Sequence, residues 1–151
     1  MLSTGNLFYL NQRAILCPRN DDVDMINDML MSSMDGISME FFSEDSIVNI
    51  ESGNMTRDEL NALYPIEFLN SLKSSSLPPH RLRLTVGCPI ILLRNIMPQE
   101  GLCNGTRLIC ISFTRYVINA TIITGPHAGN DVFLPRIPIQ PSDLGMPFEF
   151  R

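Results

Sequence analysis

RLRLTVGCPIILLRNIMPQEGLCNGTRLICIS, residues 81–112, decides how this chain is read. Leu82, Leu84 and Val86 alternate with polar residues, the period of a strand with one face buried. Cys88–Leu93 is then a continuous apolar run, and Asn104-Gly105 is a turn signal before the next apolar segment. Beyond it, RLICISF (107–113), YVINATII (116–123) and DVFLPRI (131–137) follow, separated by short turns. Closely spaced short strands of this kind predict a small antiparallel β-barrel. The tail PRIPIQPSDLGMPFEF (135–150) is too rich in proline for a sheet interior, since each proline removes a ladder donor, and is expected to run as an extended strap.

Upstream the texture is different. QRAILC (12–17) suits a short buried strand, ended by Pro18. Asn20 is an N-cap candidate, and Asp21, Asp22 and Asp24 suit the positive end of a helix dipole. Val23, Ile26, Leu30 and Met34 form a one-sided stripe, predicting a helix over 21–34 that Asp35-Gly36 closes. Met25, Met29 and Met31 lie mostly off that stripe and are read as packing residues. Strand, turn and acid-started helix make a βα unit. An acidic connector over 40–63 carries a strand near Ile47–Ile50 and a helical turn near Arg57–Leu63; IEFLNSL reads as a short helix and residues 74–80 as a linker. The expectation is an α+β chain divided at 1–70 and 71–151. One strand and one helix bury too little to offset backbone entropy of about 1–2 kcal/mol per residue, so the βα unit needs a partner surface.

Composition narrows the function classes. The 151 residues are 44% apolar and 18% charged, which argues against global disorder. No apolar run is long enough to span a membrane, and the N-terminus does not read as a signal peptide. Cys17, Cys88, Cys103 and Cys110 form no C-x-x-C pair, and with only His80 and His127 no metal site is indicated. They read as reduced thiols of an intracellular protein. The net charge of −5 conceals segregation: residues 1–70 sum to −9, residues 71–118 to +5. A polyanion would be met by the middle segment, where Arg94, Asn95 and Arg107 surround a loop and are the candidate phosphate contacts. The alternative for each is a loop-bracing hydrogen bond or a surface ion pair. Gly87, Gly101, Asn104 and Gly105 are read as structural turn residues.

The segment 81–112 closely resembles Pif/RecD-like superfamily-1 DNA helicases, especially those of Helitron-type elements and their eukaryotic relatives. The resemblance rests on Leu84, Val86, Gly87, Pro89, Leu92, Leu93, Arg94 and Asn95, then on Gly101, Leu102, Asn104, Gly105 and Arg107. YPIEFLNSL, LPPHRLRL and ITGPHAGNDVFLPRIPIQPSD are similar as well, and RAILCPRNDDVDMIN resembles the motif IV region, where Arg13 and Asn20 take no individual role. The match covers most of residues 12–151 and is weakest over 35–60. It implies a helicase fragment: residues 12–34 as the opening βα unit of a second RecA-like domain, and 81–135 as the SH3-like barrel inserted into it. It further implies a nuclear parent enzyme of DNA repair and recombination that uses ATP and Mg²⁺ to move 5′ to 3′ on single-stranded DNA. The insert would contribute to the DNA channel and to strand separation, with single-stranded DNA and the remaining helicase domains as partners.

The chain carries no G-x-x-x-x-G-K-[ST] phosphate loop and no acid pair ending an apolar strand to hold Mg²⁺. No catalytic residue and no cofactor of its own is assigned. Two other classes compete: an SH3-like protein-interaction module, for which Phe113, Tyr116 and Phe133 would have to form an aromatic groove without tryptophan, and a small enzyme, for which no nucleophile setting is recognisable. Phosphate release from ATP by the purified chain is therefore expected to stay at the buffer level with or without single-stranded DNA. DNA-stimulated turnover would overturn this.

Overall fold

The computed structural model describes residues 13–50, 59, 62–73, 77–140 and 148–150. In chain order the elements are α1 (Asn20–Ser33), β1 (Ser38–Phe42), β2 (Ile47–Ile50), α2 (Ile66–Ser71), β3 (Arg81–Thr85), β4 (Pro89–Ile91), a 3-10 turn (Pro98–Glu100), β5 (Arg107–Phe113), β6 (Val117–Ile122), β7 (Asp131–Pro135) and β8 (Phe148–Phe150). Three sheets result: β1-β3, β2-β8 and β4-β5-β6-β7. The ladders of the last two are antiparallel, so the class is α+β as expected. The chain divides into two compact units, Met1–Glu40 with Arg83–Arg136, and Phe41–Leu82 with Ile137–Arg151.

The first unit is organised by the four-stranded sheet. Register places Leu108 opposite Ile122, Cys110 opposite Ala120, Ala120 opposite Val132, and Ile118 opposite Leu134, all on one face. Leu92 and Leu102 complete that core. Burying each such leucine stabilises by roughly 1.5–3 kcal/mol. The other face carries Ile109, Thr121, Asp131, Asn119 and Phe133. A shift between Cys110 and Ser112 lets Ile111 bulge out, exposed.

The turn from β3 to β4 explains Gly87. Cys88 N–H donates to Thr85 O (2.9 Å), while Gly87 N–H reaches Cys110 O (2.6 Å) and Cys110 N–H returns to Cys88 O (3.0 Å). Gly87 and Cys88 thus oppose the single residue Cys110, a bulge whose first residue sits at φ 87°, where glycine is favoured. Thr85, fully buried, shares a 2.7 Å hydroxyl hydrogen bond with Ser38.

Three expectations change. The strands do not close into a barrel: among the described residues the four-stranded sheet ends at β4 and β7, and β3 pairs with β1 instead. A barrel exists only when its last strand bonds back to its first. QRAILC forms no strand over its described residues 13–17; Ile15 is 66% and Leu16 93% exposed, because no described strand pairs with them. The helix starts at Asn20 itself, with Arg19 in the cap position and no side-chain cap bond. Its stripe of Val23, Ile26, Leu30 and Met34 is half-buried, with nothing in the helix fully buried. Asn104-Gly105 does form a turn between strands, closed by Thr106 N–H to Cys103 O (3.0 Å) inside the long β4–β5 loop, with Gly105 at positive φ.

In the second unit β2 pairs with β8, which begins only after the last proline of the tail. Leu69 of α2 is buried among Ile47, Tyr64, Leu72 and Leu77. The Ser43 hydroxyl bonds both Asp45 (2.9 Å) and His80 Nδ1 (2.6 Å). The helical turn expected over 57–63 and the serines of the linker lie largely outside the described residues.

Gly101 offers the sharpest test of this packing. A Cβ there would stand 2.8–2.9 Å from the His127 ring and Cβ, at φ +80°; at Gly105 it would meet nothing within 4 Å. Gly105→Ala is expected to cost about 1 kcal/mol from backbone strain alone. Gly101→Ala should cost roughly 2–3 kcal/mol, the excess shrinking in a His127→Ala background, which removes the ring but keeps the Cβ. Urea unfolding of the four variants measures this, and equal costs at the two glycines would contradict it.

Candidate nucleic-acid interface

The candidate residues lie at one end of the β4–β5 ladder. Ile91 is in register with Arg107, and from there the chain leaves β4 into a loop that returns at Thr106. Gly105 N–H to Leu92 O (2.8 Å) and Leu92 N–H to Thr106 O (2.9 Å) close its base. Higher up, Ile96 and Met97 N–H both donate to Leu102 O, around the 3-10 turn. The Thr106 hydroxyl sits inside, donating to Gly101 O (2.8 Å) and accepting from Cys103 N–H (3.1 Å). The loop is therefore held by its own backbone.

Within it the side chains differ in what they do. Asn95 Oδ1 accepts the Asn104 N–H at 2.8 Å, so its acceptor end braces the loop across its width. Arg107 is half-buried; its guanidinium donates to the Arg13 backbone carbonyl at 2.9 Å, anchoring the segment before α1. Arg94 is half-buried on the same loop. Gly87, Gly101 and Gly105 all have positive φ, and Asn104 does not. The structure therefore gathers Arg94, Asn95, Arg107, Asn104 and Gly105 at one end. It gives Asn95 and Arg107 structural hydrogen bonds that spacing alone could not reveal.

Other charged and aromatic groups of this unit are placed elsewhere. Arg115 stacks over the Tyr116 ring at 5.7 Å in the β5–β6 hairpin, a cation–π pair. Phe133 is 66% exposed on the sheet face opposite the core. Phe113 is in register with Ile118 on the core side, whereas Phe133 is in register with Asn119 on the other. The aromatic groove that a polyproline-binding module needs is thus not assembled. A shallow cleft of about 460 Å³ is lined by Gln99, Glu100, His127, Gly129, Asn130, Asp131 and Val132. With Glu100 and Asp131 in its walls and no arginine or lysine, it does not favour a phosphate. Among the described residues no cluster of three or more His, Cys, Asp or Glu could hold a metal ion, and no helix is long and apolar enough to cross a membrane.

Asn95→Ala should loosen the loop by leaving the Asn104 N–H without its acceptor, lowering stability by about 1 kcal/mol. Asn95→Asp keeps an acceptor oxygen and should lose less. Thermal unfolding of both decides, and equal losses would mean that the bond does not brace the loop.

Residues 67–113 match the family model of the DNA helicase Pif1 2B domain, a span that contains Arg94, Asn95 and Arg107. No curated relative matches the sequence. Among solved structures, the Pif1 helicase from Candida albicans aligns with a TM-score of 0.56 at 16% identity, over 98% of this chain and 37% of that one. A structure of two coordinating Pif1 helicases, concerned with DNA unwinding at forked double-stranded DNA, aligns with a TM-score of 0.53 at 18% identity, over 98% and 30%. The chain spans about a third of the length of these helicases, and at such identities the likeness is one of fold. Over residues 67–113 the chain matches the Pif1 2B domain in sequence, and along its length it is similar in fold to Pif1 helicases.

Proposed function

We propose that this chain contributes single-stranded DNA contact, and with it strand separation, to a Pif-like helicase that moves 5′ to 3′ at the expense of ATP and Mg²⁺ bound by other domains. The observation that carries the reading is a coincidence: the 2B-domain match spans the same β4–β5 end where Arg94, Asn95 and Arg107 gather. That end belongs to a stretch of net charge +5, while the first 70 residues sum to −9. Phosphate attraction is therefore local, and the acidic part opposes it. In this reading the four-stranded sheet is an open form of the SH3-like insert, α1 belongs to a RecA-like domain completed by the parent's other segments, and the parent acts in the nucleus in DNA repair and recombination.

Arginine suits the task because its planar fork binds phosphate oxygens in pairs. Phosphate contacts position a strand without reading its sequence. With few cations on one loop, binding by this chain alone is weak, and the other helicase domains supply most of the channel.

Fluorescence anisotropy with a labelled oligonucleotide tests this. If about three phosphates are engaged, affinity should fall with log salt at a slope near −2, taking about −0.7 per contact for single strands. The Arg94→Ala, Arg107→Ala double variant should bind more weakly and with a shallower slope. Equal binding by both proteins, or none even at low salt, would reduce the loop to a solvated face.

A further inference from the structure

Cys88 and Cys110 are the two thiols of the first unit's core, 1% and 0% exposed. They face each other across the start of the β4–β5 ladder. Cys110 N–H donates to Cys88 O, and the next pair in register is Pro89 with Ile109. The two thiols perturb each other's protonation, and the Cys110 thiol also reaches Ser112 O at 4.0 Å. Directly opposed residues of an antiparallel pair hold their Cα atoms about 4.5–5.5 Å apart, within the span of a disulfide. Cys17 and Cys103 have no such partner, and none of the four is bridged in this structure.

We propose that Cys88 and Cys110 form an oxidant-sensitive dithiol, closed by peroxide to an intramolecular disulfide that fastens the β3–β4 turn to β5. The inference is independent of the proposed function. The pair is polarised in a useful sense. The hydrogen bond from the Cys110 thiol holds Cys88 below the ordinary thiol value, although burial opposes this. The same bond, burial and the charge on Cys88 push Cys110 up. Cys88 is thus the nucleophile and Cys110 the proton-bearing, resolving thiol.

In the first step the Cys88 thiolate attacks one oxygen of hydrogen peroxide. The O–O bond breaks, hydroxide leaves and is protonated to water, and Cys88 becomes a sulfenic acid. The Cys110 sulfur then attacks the sulfenic sulfur. The S–O bond breaks, the hydroxyl leaves as water with the Cys110 proton, and the S–S bond forms. Two thiols and one peroxide give one disulfide and two waters, each sulfur being oxidised by one electron.

Burial sets the rate rather than the outcome. β4 is a three-residue strand at the edge of its sheet, the kind of element that opens locally before the rest unfolds. Small, uncharged peroxide gains access in such openings. The product would cross-link residues 22 apart in sequence, shortening the loops open to the unfolded chain.

The test uses the full chain and a Cys17→Ser, Cys103→Ser variant, both treated with hydrogen peroxide under native conditions and then with N-ethylmaleimide. In the variant the expected product is a monomer about 2 Da lighter that takes up no maleimide. Trypsin should release residues 84–94 joined to 108–115 from both proteins, and dithiothreitol should separate them. The oxidised form should melt at least about 5 °C higher, reversibly on reduction. Two maleimides on the peroxide-treated variant, over-oxidation of Cys88 beside an unreacted Cys110, or a link only between chains would each overturn the proposal. If the variant does not fold, the linked peptides from the native chain decide alone.

Discussion

One sheet face organises the first unit. Leu108, Cys110, Ala120, Ile122, Val132 and Leu134 repeat with the period of two that a pleated strand enforces, and antiparallel register brings them onto the same side. A one-residue slip in any of these strands would turn its apolar set into solvent. The bulge at Ile111 shows how the constraint is met, with one residue displaced outward so that Phe113 still falls in register with Ile118. The core then dictates where the flanking segments go. Leu92 and Leu102 join it from the β4–β5 loop, fixing both ends of the loop that bears the candidate DNA contacts.

Between those packed leucines, hydrogen bonds hold the loop. Thr106 satisfies one carbonyl and one amide from a single hydroxyl, and Asn95 holds Asn104. A loop with this many internal partners presents side chains in a fixed geometry, which reduces the entropy lost when they meet a ligand. The same economy limits what the side chains can do. Asn95 uses its acceptor oxygen internally, and Arg107 commits part of its fork to the Arg13 carbonyl. Arginine has five donors, so one bond to a carbonyl leaves others for a phosphate.

The Cys88–Cys110 pair belongs to the same framework. Gly87 at positive φ lets two residues oppose Cys110, and that bulge sets Cys88 opposite Cys110. A residue with a Cβ at position 87 would strain the turn and shift this apposition. The geometry that closes the β3–β4 turn is thus also what pairs the thiols.

Much was legible from residue pattern. Alternation in 107–113 and 117–122, the stripe of α1, Ile47–Ile50 as a strand and the helix after Pro65 are all local signals, and the chain forms these elements where they predict them. The segregation of charge and the motif-bearing stretch 81–112 were likewise written in the sequence, because both depend on composition and order alone. What only the tertiary structure decided is non-local. Whether strands close into a barrel depends on which edge bonds to which, and β3 chose β1. Whether QRAILC becomes a strand depends on a neighbouring strand, and none is described beside it. Whether Asn95 and Arg107 face solvent or brace the fold depends on partners 9 and 94 residues away, separations at which sequence spacing carries no geometric information.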